Sequence, residues 1–367
     1  MQRRDFLMGL SILAAVSPAL ARDLSVEASL HLHALKKGLI FGACPELDSL
    51  SQDQALLLAF LRECGAMTIE TFWALIRPTE NSFDFSVIDQ FVEFALDRNL
   101  LVRGHPLIWH LLNPEWLDAK LIDSGTTVSQ VEELLFNHIS TVVGRYAGKV
   151  WVWDVVNEAI EPEDGRSDGL ALRPWFKWLG SDYIDLAFWT AAQADPQALL
   201  AYNDGGQEYN LPLNEAKRDA ALQLLERLTS KGVPIHIFGL QSHLKGYPEN
   251  FNPDKLRRFL RDVASLGLKI MISELDVIDR LLPADTTDRD RQVASVYKDY
   301  LDVVLDEPAV FFVNTWGISD RYTWLAQQEP RLDGLSVRPL PLDDQMNRKP
   351  AWYAIAQAFD QCPHRRV

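Results

Sequence analysis

An alternation of short apolar runs with longer amphipathic segments, repeated eight times, predicts a single (β/α)8 TIM barrel. A second observation agrees: seven of the runs end in polar, chemistry-bearing side chains, as expected where parallel strands converge on one face of a closed barrel. Third, no GxGxxG and no P-loop follows any run, which leaves the alternative of a doubly wound open sheet without support.

The strand segments in order are LIFGA (39–43), AMTIE (66–70), LVRGH (101–105), VWVWDVVN (150–157), ALLAYN (198–203), IFGLQSH (237–243), KIMISEL (269–275) and VFFVNTW (310–316). Each is short and rich in β-branched, aromatic or other apolar residues. Helical periodicity fills the intervals at 52–64, 86–98, 129–146, 182–194, 213–231, 253–266, 289–305 and 351–359. Gly232-Val233-Pro234 stops one helix and Asn252-Pro253 starts the next. No low-complexity linker or run of like charges divides the chain, so residues 22–367 are expected to form one barrel.

The first 21 residues are expected to be an export signal. Arg3 and Arg4 form a twin arginine, residues 6–16 are apolar but too short to span a bilayer, and Ala19-Leu20-Ala21 suits cleavage. The mature protein is therefore expected in the periplasm or outside the cell, free of membrane after cleavage. A net charge of −15 argues against a nucleic-acid partner and is indifferent to a neutral polysaccharide. A monomer is expected. Cys44, Cys64 and Cys362 show no CxxC or Cys/His spacing, so no zinc site is expected. One pair is conceivable, and three buried, inert thiols is the preferred reading.

"WDVVNEAI" (153–160) ends an apolar strand in Asn157 and Glu158, and "KIMISELDV" (269–277) does the same with Glu274 and Asp276. An ionised Glu at such a place needs a partner or a task. Two carboxyls facing one cavity do not both ionise cheaply, which provides one acid and one nucleophile or base, the requirement for glycosidic cleavage. Asp276 can hold the His243 imidazole, and His243 can orient Glu274. Asn157 suits a sugar 2-hydroxyl beside the reacting carbon. Taken singly, each of these is better explained as a cap or core polar group; seven strand ends together are not. No GxSxG supports a serine hydrolase, and His105 and His110 lack the HExxH spacing of a metallohydrolase. A sugar-binding barrel with idle carboxylates stays open as the non-enzymatic alternative.

"RGHPLIWH" (103–110), "WDVVNEA" (153–159), "YND" (202–204), "GLQSHL" (239–244), "SELDV" (273–277) and "TWGISDRYTWL" (315–325) stand in the order of glycoside hydrolase family 10, the β-1,4-xylanases. The ending "PLPLDDQMNRKPAWYAI" (339–355) is similar to that family's last loop and helix, so the resemblance spans essentially the whole mature chain. It implies a (β/α)8 barrel and retention of anomeric configuration, with Glu158 as acid/base and Glu274 as nucleophile. His243 and Asp276 are the implied support relay. Glu70, His105, Trp109, Asn157, Gln241, Trp316 and Trp324 are the implied glycone-side contacts to a xylan-type chain, with neither metal nor cofactor.

One stretch departs. Where the family usually has Glu-Asn-x-x-Lys-Trp, this chain reads "MTIETFWALIRP" (67–78). An alignment keeping Glu70 and Trp73 sets Thr71 at the Asn and leaves no Lys; a gapless one sets Thr68 at the Glu and Phe72 at the Lys. Leu112 stands where Gln is common. The distal glycone pocket is therefore expected to lack hydrogen-bonding groups, unless Lys120, Lys177 or Arg77 supplies a charge from elsewhere.

Overall fold

The computed structural model describes residues 28–247 and 250–365. The expected export segment lies outside them. The strands are β1 (Ile40–Ala43), β2 (Ala66–Glu70), β3 (Leu101–His105), β4 (Val152–Asn157), β5 (Leu199–Asp204), β6 (Ile237–Leu240), β7 (His243–Lys245), β8 (Lys269–Ile278) and β9 (Val310–Thr315). Eight of them close a ring in the order β1-β2-β3-β4-β5-β6-β8-β9, with β9 back on β1 and every pairing parallel. This is the (β/α)8 barrel that the alternation required. The short β7 adds to β8 above the end of β6.

The main helices lie between the strands where the periodicity put them, for example Ser86–Asp97, Val128–Arg145, Asp182–Ala194 and Pro253–Ser265. Local chemistry sets their starts. Asp53 accepts from the backbone N–H groups of Ala55 and Leu56, Thr127 and Gln130 form a capping box, and Asn252 caps a helix opened by Pro253.

Strand side chains alternate between two cores. Phe41, Met67, Val102, Val155, Leu200, Phe238, Ile272 and Val313 face outward into the layer shared with the helices. Ile40, Ala66, Val152, Ala201, Ile237, Met271 and Phe312 fill the bottom of the barrel. Two residues further along several strands the interior turns polar, at Thr68, Arg103, Asp154, Asn203 and Asn314, all buried. The mouth opens above this polar layer.

The structure corrects several boundaries. Residues 237–243 are not one strand: Ser242 takes a left-handed backbone, φ 67°, which ends β6 at Leu240 and starts β7 at His243. β8 runs on to Ile278, while β4 starts at Val152 and β9 stops at Thr315. Short helices at Leu30–Leu35, Leu47–Gln52, Trp73–Ile76, Glu115–Ile122 and Pro174–Leu179 were not legible, because one or two turns give periodicity too little length to register. Cys44, Cys64 and Cys362 are free and buried, and burial pushes each thiol up, which keeps them unreactive. Among the described residues no helix is long and apolar enough to cross a membrane.

Candidate active site

Two backbone irregularities aim the key carboxylates. Along β8, Ile272 pairs with Val313 but Leu275 pairs with Thr315, so one extra residue bulges at Ser273-Glu274. Strict alternation would send one of these neighbours outward. With the bulge, Ser273 bonds Asn203 and Glu274 also bonds Asn203, both from inside the barrel. After β4, Glu158 adopts φ 55°, a costly conformation for a non-glycine residue and a common one at functional sites. Its backbone N–H still donates to the Asn203 carbonyl at 2.9 Å, which ties the turn to β5.

Glu274 is 5% exposed. Asn203 Nδ2 donates to its Oε1 at 2.6 Å, His243 Nε2 lies 3.2 Å from Oε2, and His105 Nε2 lies 3.9 Å from Oε1. Burial pushes the carboxyl up, but His105, the hydrogen bond and charge of His243, and the Arg103 guanidinium outweigh it and hold Glu274 at about 2. On its other nitrogen His243 meets Asp276 Oδ1 at 2.9 Å, and Trp324 Nε1 donates to Asp276 Oδ2 at 2.8 Å. Burial pulls His243 down, but Asp276 and Glu274 together raise it well above its ordinary value. The imidazole is thus an imidazolium clamped between two carboxylates.

Glu158 sits among neutral N–H donors: Trp109 Nε1 at 2.8 Å, Gln241 Nε2 at 2.8 Å and Asn157 Nδ2 at 3.2 Å. A chain of amides joins the two carboxylates, since Asn203 Nδ2 also donates to Asn157 Oδ1 at 2.9 Å. Trp316 presents its ring edge-on to His105, with centroids 5.1 Å apart, and Trp324 tilts against His243 at 4.9 Å. Glu70 ends β2 in register with His105. Burial raises its carboxyl, His105 opposes and the charge of Glu274 adds, and it makes no hydrogen bond to a side chain among the described residues. All eleven residues singled out in the sequence therefore stand at the mouth of the barrel. No group of acidic, His and Cys side chains suited to a metal occurs among the described residues.

The residues that the sequence reading passed over lie one layer down. Arg103, fully buried, donates to Asp154 at 2.5 and 3.3 Å and to the Ser273 carbonyl at 2.7 Å. Asp154 also accepts from His105 Nδ1 at 2.6 Å, which leaves Nε2 turned toward Glu274. Asn314 bonds Thr68 and the Ser273 carbonyl. A signal was present. Thr68, Arg103 and Asn314 each precede a mouth residue (Glu70, His105, Trp316) by two, which is the same face of a strand.

The departing stretch is also placed. Thr68 lies inside the barrel against Asn314 while Glu70 reaches the mouth, so the gapless alignment is excluded. Thr71 is buried and donates to the Pro106 carbonyl, and Trp73 is buried with Nε1 on the Leu107 carbonyl. Arg77 is buried among Trp73, Phe83 and Trp116 and donates to the Glu80 carbonyl. Lys120 pairs with Glu80. Lys177 lies on the exposed side of Pro174–Leu179.

Two expectations follow from this geometry. Gly239 leaves room for the Asn203 amide: a Cβ there would lie 2.2 Å from Asn203 Oδ1. Gly239→Ala should destabilise the fold by about 1–3 kcal/mol. It should also lower kcat by roughly tenfold or more by displacing Asn203 from Glu274, as thermal melts and kinetics will show. The second concerns pH. A Glu held at about 2 contributes stability above its unfolded value of about 4.3, lost as pH falls toward 2. A raised His contributes below its unfolded value of about 6.5, lost as pH climbs through the folded value. Melting temperature should therefore lose a plateau between about pH 4.3 and 6.5 in His243→Asn, relative to the native enzyme.

Comparison with known proteins adds the family. Residues 29–358 match the model of glycosyl hydrolase family 10. The chain is 33% identical over 291 residues to endo-1,4-beta-xylanase B of Thermotoga neapolitana, covering 79% of this chain and 78% of that one. It is 34% identical over 332 residues to an endo-1,4-beta-xylanase of Geobacillus stearothermophilus, covering 86% and 94%. Among solved structures, xylanase 10B of Thermotoga petrophila in complex with xylobiose superposes with a TM-score of 0.81 at 32% identity, covering 92% of this chain and 99% of that one. With the barrel, the paired carboxylates and this match in agreement, the chain belongs to glycosyl hydrolase family 10.

Proposed function

We propose that this protein is a retaining endo-β-1,4-xylanase that cleaves xylan or xylo-oligosaccharides by double displacement. The observation that carries the reading is the contrast between the two carboxylates. Glu274 is held ionised by His243, His105 and Arg103, as a nucleophile must be, whereas Glu158 meets only the neutral donors of Trp109, Gln241 and Asn157 and takes the acid/base role. In the first step Glu274 attacks the anomeric carbon while Glu158 protonates the departing oxygen. In the second, Glu158 takes a proton from water, which displaces Glu274. His243 and Asp276 keep Glu274 oriented. His105, Trp316, Trp324 and Glu70 surround the glycone sugar, and Asn157 meets its 2-hydroxyl.

Proton NMR of the first-formed product tests this directly: the β-anomer should appear first and mutarotate later, and the α-anomer appearing first would refute retention. A 2-fluoro xylobioside inactivator should label Glu274 alone. The match to relatives named as xylanases supports xylan as the substrate. A relative at 32% identity is named exoglucanase XynX, of Acetivibrio thermocellus, so β-cellobiosides belong in the same screen. Because Thr71 and Arg77 are committed within the wall and Lys120 is paired with Glu80, extending an aryl xyloside to an aryl xylobioside should raise kcat/KM by about tenfold or less. A rise of several powers of ten would show that the distal pocket is intact.

The twin arginine and cleavage-like Ala19-Leu20-Ala21 support export, with a monomeric mature enzyme acting in the periplasm or outside the cell. Arg3 and Arg4 replaced together by Lys should leave the activity in the cytoplasm.

A further inference from the structure

We infer that the rim formed by Phe72, Leu75, Leu111 and Leu112 is an acyl-binding ledge that takes an O-acetyl group on the distal glycone sugar of the substrate. The inference rests on the proposed cleavage by Glu158 and Glu274.

Large exposed apolar side chains gathered beside a catalytic cleft mark a contact surface. Leu111 and Leu112 are each 51% exposed, and Leu75 is 39% exposed. The Ala74 N–H donates to the Leu112 carbonyl at 3.1 Å, which joins the loop after β3, carrying Leu111 and Leu112, to the helix Trp73–Ile76, carrying Leu75. Leu112 is held there in a left-handed backbone, φ 51°, a conformation that branched residues avoid. The ledge is continuous with the catalytic machinery: Phe72 lies on Trp109 with ring centroids 5.6 Å apart and 31° between planes, and Trp109 donates to Glu158.

The hydrogen-bonding groups nearby are turned into the wall: Arg77 Nη1, His110 Nδ1 and Asn113 Oδ1 are buried without a partner among the described residues, and the others bond within the protein. Thr71 donates to the Pro106 carbonyl, Trp73 to the Leu107 carbonyl and Arg77 to the Glu80 carbonyl, while Lys120 pairs with Glu80. Glu70, at the inner end, keeps its carboxylate for the sugar next to the cleavage point. A free hydroxyl on the next sugar would face leucine and phenylalanine and lose its hydrogen bond to water. An acetyl ester has no donor to satisfy and carries a methyl group that gains from burial. The wall therefore suits an acylated sugar better than a bare one.

The test compares an aryl β-xylobioside with the same compound acetylated on its distal xylose, using the mature chain. The native enzyme should prefer the acetylated compound by about three- to tenfold in kcat/KM, the effect of burying one methyl group. Leu112→Gln and Phe72→Ala should each abolish the preference, Leu112→Gln while improving the bare compound. Equal or faster turnover of the bare compound by the native enzyme would overturn the ledge. Turnover of an aryl xyloside with neither xylobioside accepted would overturn it too, yet leave the proposed cleavage standing. Binding of acetylated and bare xylobiose to Glu274→Ala, measured by calorimetry, reads the ledge without catalysis: the acetylated sugar should bind more tightly, and equal affinities would refute it. Loss of turnover on every aryl glycoside would instead reject the cleavage proposal.

Discussion

Glu274→Ala should abolish turnover, lowering kcat/KM on aryl xylosides by on the order of 10⁴–10⁶, the range seen when a covalent nucleophile is removed. The size follows from the surroundings. Asn203, His243 and His105 are arranged around a negative charge, and without it they still occupy the site but form no covalent bond. The variant gives up the stability that ionised Glu274 contributes and leaves His243 with Asp276 as its remaining carboxylate, so its melting temperature should fall while circular dichroism shows the barrel retained. Azide supplies a specific check. Placed in the vacated space, it attacks the anomeric carbon from the side Glu274 occupied, expels the leaving group in one displacement and yields the α-glycosyl azide. A β-glycosyl azide from this variant would show that a covalent intermediate still forms and that Glu274 is not its donor.

Glu158→Ala should behave differently, and the difference assigns the roles. With an activated leaving group that departs without a proton, formation of the glycosyl-enzyme should proceed and a burst of released phenol should precede slow turnover. With an ordinary sugar leaving group the loss should be on the order of 10²–10⁴, as expected for general acid catalysis. Here azide attacks the covalent intermediate from the opposite face and gives the β-glycosyl azide. Equal losses on activated and unactivated substrates would point to another acid. Trp109, Gln241 and Asn157, which fix the Glu158 carboxyl, should show weaker forms of the same leaving-group dependence when replaced.

Much of this protein was legible in one dimension. Eight alternating units, with polar strand ends at Glu70, His105, Asn157, Gln241, Glu274 and Trp316, determined a barrel with a polar mouth, because periods of 2 and 3.6 report local burial and need no knowledge of distant partners. The motifs around Glu158 and Glu274 determined the chemistry those ends permit. Only the tertiary structure decided how the ends are aimed. The bulge at Ser273-Glu274 and the left-handed turns at Glu158 and Ser242 arise from pairing between strands, which composition along one strand does not encode. The buried layer of Arg103, Asp154, Asn203 and Asn314 likewise exists only once the ring closes, when side chains from strands distant in sequence meet over the apolar plug. The same closure decided the departing stretch: register set Glu70 at the mouth and Thr68 below it, and packing withdrew Arg77 and Lys120 from the cleft. Residue type is a local property and direction is not, so the sequence named the chemical groups and the fold determined which of them face one another.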